Sequence, residues 1–123
     1  MLSSRDQERA KAAWKCVSEV QGKEAIEKYA SLAKSAPVMI LTNGLGQTLA
    51  FFISKANGRN EYSVLLDHLT QWLYANVPWT TPRAGTLIEQ VMGEASPGYR
   101  LATEEALAFL SWVKRFATAK APE

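Results

Sequence analysis

The chain has one cysteine and one histidine in 123 residues, and these scarcities exclude several classes of protein. With Cys16 alone, no intrachain disulfide can form and a thiolate metal cluster is ruled out. Cys16 and His68 cannot close a zinc site without carboxylates, whose spacing suggests none, so no metal or cofactor is expected. No apolar run reaches the roughly 18 residues of a membrane span. The opening stretch, MLSSRDQERAKAAW, is charged where a signal peptide is apolar. The expectation is a cytoplasmic protein with no membrane partner.

What is present is ordinary for a globular chain: 47% hydrophobic and 21% charged residues, with only five prolines. A single domain spanning residues 1–123 is expected, with disorder confined to a few terminal residues such as those of the closing AKAPE. The net charge of +2 permits an anionic partner without requiring one. What matters is whether the 14 Lys and Arg gather on one face.

Only helical periods run to any length. In SSRDQERAKAAWKCVSEVQG, Ala10, Ala13, Cys16, Val17 and Val20 share one arc at about 100° per residue. KEAIEKYASLAKSA repeats the pattern and is expected to stop before Pro37. NEYSVLLDHLTQWLYANV collects Tyr62, Leu65, Leu66, Leu69, Trp72 and Leu73 on one side. Thr81-Pro82 and Ser96-Pro97 each read as an N-cap followed by proline at the first helical position. The fold class is all-α, a compact bundle of about six helices.

The stretch TNGLGQT (42–48) admits three readings. Asn43-Gly44 is a hairpin signal, and Gly44-x-Gly46 begins a phosphate-loop pattern. The hairpin fails because VMIL does not alternate and no other strand is available for pairing. The dinucleotide loop fails because Leu49 stands where a third glycine is required. A helix from about Pro37 to Lys55 remains, with Val38, Leu41, Leu45, Leu49, Phe52 and Ile53 on one side. Two interior glycines cost such a helix roughly 1 kcal/mol each, so a close neighbour is expected beside them.

No enzymatic constellation is complete. Cys16 lies on an apolar arc and reads as a small core residue, while His68 reads as an interfacial or hydrogen-bonded one. Nothing places a third orienting group beside them. Glu104 and Glu105 read as a solvated helix face. Arg9 is different, because it lies at the edge of its apolar arc and needs a carboxylate or a bound anion. Asp6, three residues earlier, is a ready partner. Trp79, in a proline-flanked loop, is expected to be exposed.

Taken in order, ERAKAAWKCV, ILTNGLGQTLAFFISK, LLDHLTQWL and EALAFLSWVKRFA resemble the small helical, fifth subunit of the Cmr complex, the type III-B CRISPR RNA-targeting effector. The likeness spans nearly the whole chain, with TNGLGQTLAF and WVKRFA its most specific parts. It implies a non-catalytic ribonucleoprotein subunit of antiviral defence, stacked with copies of itself and with other effector subunits. Guide and target RNA are the implied ligands, with cleavage performed elsewhere. Arg9, Lys11, Lys15, Lys55, Lys114 and Arg115 become candidates for phosphate contact, which positions RNA without reading sequence. Asn43, Gly44, Gly46 and Gln47 become candidates for packing or subunit contact. The alternatives are a free-standing helical nucleic-acid-binding domain and a protein–protein adaptor.

Overall fold

The computed structural model describes residues 4–121. Six α-helices follow one another: α1 (Arg5–Ser18), α2 (Lys23–Asn43), α3 (Leu45–Lys55), α4 (Glu61–Asn76), α5 (Leu87–Gly93) and α6 (Ser96–Lys120). A single 3₁₀ turn, Pro82–Ala84, precedes α5, and no strand occurs among the described residues.

Local chemistry sets most of the boundaries. Ser4 and Gln7 form a reciprocal capping box at the start of α1, as Thr86 and Glu89 do at the start of α5. Asn60 accepts from the Ser63 amide and caps α4. Thr81-Pro82 opens only the 3₁₀ turn, because the capping box at Thr86 nucleates the helix proper four residues later. Ala95, rather than Ser96, is the N-cap of α6.

The expected break at Pro37 is displaced. Helix α2 runs through Pro37 and ends at Gly44, whose φ of 90° and ψ of 160° lie in a region open essentially to glycine alone. Proline inside a helix costs about 3 kcal/mol. Burial of Ala33, Ala36 and Ile40 on either side of it anchors α2 to the core and offsets that cost. TNGLGQT is therefore a helix-to-helix corner, not the middle of a helix. Leu45, Leu49 and Phe52 are fully buried, whereas Val38 and Leu41 are exposed because the corner breaks the wheel that grouped them, and Ile53 is exposed at the edge of the α3 arc.

Helices α2 and α6 pack antiparallel: Lys34 shares a furrow with Lys114, Arg115, Thr118 and Ala119 toward the end of α6, and Gly46, just past the end of α2, meets Tyr99 near its start. Helix α1 lies alongside α6 in the same direction. Arg9 meets Glu105, Trp14 packs edge-on against Phe116 at 5.1 Å, and Lys120 donates to Ser18. Helix α4 reaches α6 through Trp72, stacked on Phe109 with centroids 5.2 Å apart. Phe109, Leu110, Leu69, Leu73 and Val17 are fully buried where these helices converge. Each such side chain contributes about 1.5–3 kcal/mol.

Candidate nucleic-acid interface

The cations divide into those built into the fold and those left at its surface. Arg9 belongs to the first group. Its Nε lies 2.7 Å from Glu105 Oε2, a second guanidinium nitrogen donates to Oε1 at 3.0 Å, and a third reaches Asp6 at 3.2 Å. Glu105 also accepts from Trp72 Nε1 at 2.8 Å and has Arg5 at 3.5 Å. One carboxylate thus ties α1, α4 and α6. Glu105 is 6% exposed, which corrects its reading as a solvated residue; only Glu104 lies on the outer face. Burial pushes the Glu105 pKa up, but hydrogen bonds from Arg9 and Trp72 and the nearby guanidinium charges more than reverse it, holding it below the ordinary value.

The remaining candidates lie in separate places. Lys11 and Lys15 are exposed on α1, Lys15 at the rim of a cleft between α1 and α4. Lys55 ends α3, its ammonium 5.8 Å from the centre of the Phe51 ring. Lys114 and Arg115 meet Lys34 of α2 across a furrow of about 580 Å³, also lined by Thr118 and Ala119. None of these three cations joins an ion pair among the described residues. Lys34 escaped the sequence reading because its proximity to Lys114 depends on α2 lying antiparallel to α6. One and two helical turns along the same face of α2 stand Val38, 62% exposed, and Leu41, 73% exposed.

At the corner, Asn43 and Gln47 are exposed, while the glycines face inward. The Gly46 amide donates to the Tyr99 hydroxyl at 2.9 Å. A Cβ on Gly44 would lie 3.1 Å from that oxygen, and one on Gly46 3.5 Å from it. The neighbour expected beside the glycines is thus Tyr99 of the chain's own α6. Trp79 is partly buried and donates its indole N–H to Gly98 O at 3.0 Å, which corrects the expectation of exposure.

Cys16 and His68 border one cleft but form no nucleophile–base pair. Burial pushes the Cys16 thiol up to about 12, helped by the charges of Glu19 and Asp67. Both His68 nitrogens are taken, Nδ1 by the Tyr29 hydroxyl at 2.8 Å and Nε2 by Glu19 at 3.1 Å.

Comparison with known proteins places this geometry. Residues 5–120 match the family described as CRISPR-associated protein (Cas_Cmr5). The chain belongs to the Cmr5 family. A crystal structure of a CRISPR-associated Cmr5 family protein from Thermus thermophilus superposes with a TM-score of 0.79 at 30% identity, over 98% of this chain and 100% of that one. Family membership makes the chain a small subunit of a CRISPR Cmr complex, not one known as catalytic. No described helix is long and apolar enough to cross a membrane.

Proposed function

We propose that this Cmr5 family member is a non-catalytic subunit, stacked with copies of itself and with other Cmr subunits, that helps hold guide and target RNA while another subunit cleaves. The observation that carries the RNA reading is the furrow where Lys34, Lys114 and Arg115 converge, next to a hollow that shares Lys34, Thr118 and Ala119 and adds the single carboxylate of Glu27. Three cations along one groove, outside any ion pair among the described residues, suit a phosphate backbone, which gives sequence-independent affinity. Lys11, Lys15 and Lys55 supply secondary contacts on other faces. Arg9 braces Glu105 and is the candidate least free to meet RNA.

Subunit contact falls to the strip formed by Val38 and Leu41, together with Asn43 and Gln47 at the corner beyond it. Exposed aliphatic residues in line along one helix suit a protein neighbour. The raised Cys16 thiol and the fully engaged His68 ring support a role without catalysis.

Filter binding of the purified chain to unrelated single-stranded RNAs tests this reading. Binding should be weak, indifferent to sequence and lost as salt rises. RNA cleavage by the isolated chain, abolished by Cys16→Ala or His68→Gln, would contradict it.

A further inference from the structure

His68 is 1% exposed, yet it is the chain's only histidine and stands where three helices meet. Its Nε2 faces the half-exposed carboxylate of Glu19, at the end of α1, and its Nδ1 faces the hydroxyl of Tyr29 on α2. The proton arrangement follows from the partners. A carboxylate only accepts, so Nε2 carries the hydrogen and donates to Glu19. Nδ1 is then the acceptor, and the Tyr29 hydroxyl donates to it. Every group is satisfied, and no buried side-chain polar atom among the described residues lacks a partner.

A second proton breaks this arrangement. Protonated Nδ1 is a donor and confronts a hydroxyl that has been donating to it. Tyr29 is itself 1% exposed, so its hydroxyl has no solvent to turn toward. On the other side of the ring, at a cleft of about 280 Å³ between α1 and α4 bordered by Ala12, Cys16, Gln71 and Trp72, the second proton turns the His68–Glu19 bond into an ion pair and keeps that tie.

We propose that the Tyr29–His68 pair is an acid-released latch: it ties α2 to α4 while the imidazole is neutral, and loosens that seam when the ring takes a second proton, whereas the bond from the ring to Glu19 at the end of α1 is kept. The charges around the ring set its threshold. Glu19 from α1 and Asp67 on α4 favour the charged ring, Arg59 from the loop before α4 opposes it, and burial opposes it most. Lys15 and Cys16 border the same cleft, the Cys16 thiol staying neutral, as does the Tyr29 hydroxyl on the ring's other side. The balance holds the ring below its ordinary value of about 6.5. The unfolded chain therefore binds more protons across the interval between the two values, and stability falls as the pH drops through it. The latch is a property of the fold and stands apart from the RNA reading.

The test follows the whole chain from pH 7.5 to 5 by NMR titration of the His68 ring, urea unfolding and amide exchange corrected for intrinsic rates. The ring should titrate below pH 6.5. The folding equilibrium constant should fall by up to about tenfold per pH unit in the affected interval. Amides of α2 around Tyr29 should exchange faster at pH 5 than at pH 7. His68→Gln, which retains a donor and an acceptor but cannot charge, should flatten the pH response. Glu19→Gln, which retains the acceptor oxygen without the charge, should shift the ring's titration to still lower pH. A wild-type ring titrating at or above 6.5 overturns the latch, as does unchanged exchange around Tyr29 of α2. If His68→Gln folds and keeps the wild-type slope, or Glu19→Gln leaves the titration unmoved or raises it, the latch is equally refuted; a His68→Gln chain that does not fold leaves the other two readouts to decide.

Discussion

Tyr99 of α6 sets its hydroxyl 2.9 Å from the Gly46 amide, 53 residues back along the chain, and completes the start of α3 in place of a capping side chain. Gly44, the N-cap, has no side chain to offer, and the first amides of any helix lack intrahelical acceptors. The corner and the last helix therefore specify one another. The glycines make room, and the phenol fills that room while satisfying the backbone.

Replacing Gly44 should be costly on two counts. A side chain at φ 90°, ψ 160° is strained, and its Cβ would press on the Tyr99 oxygen at 3.1 Å. Gly44→Ala is expected to lose about 1–3 kcal/mol, read as a lower urea midpoint, and Gly44→Leu more. Gly93→Ala is the control, since Gly93 has no positive φ and nothing within 4 Å of a new Cβ. It should be neutral or slightly stabilising.

Tyr99→Phe retains the ring and removes the hydroxyl. The Gly46 amide loses its partner, and the expected loss is about 1 kcal/mol. Faster exchange of the Gly46 amide hydrogen, with the rest of the bundle unchanged, is the specific sign.

Glu105 is the second point of strong coupling. Glu105→Ala leaves Arg9 and the Trp72 indole short of their partner and should cost about 3 kcal/mol. The carboxyl's folded pKa is held below its ordinary value of 4.5, so its contribution is present in full above that value. It is lost as the pH falls through the lower, folded value. Glu105→Gln should therefore be less stable than the parent at pH 7 and lose less on acidification below about pH 4.5, as measured by acid unfolding.

How much of this was legible in the sequence depends on the range of the interaction. Ala13 and Cys16 on an apolar arc and Trp72 among leucines carry their signals locally, and all lie buried where periodicity puts them. Arg9 announced itself by its place at the arc's edge. Its main partner, Glu105, lies 96 residues away, and a carboxylate next to Glu104 looks solvated until that partner arrives. Pro37 misled because tertiary burial overrode a local rule. Val38 and Leu41 misled because a wheel drawn through Gly44 assumes a helix that the corner interrupts. Lys34 carried no local signal at all.

Binding of single-stranded RNA by the reconstituted effector complex, measured across a salt series, decides the central claim. Lys34, Lys114 and Arg115 are each changed to Glu in one variant, and assembly is checked first by particle size. The furrow reading predicts an intact particle that binds RNA more weakly, with the slope of log affinity against log salt shallower by about 2. An intact particle with the parent's affinity and slope would contradict it.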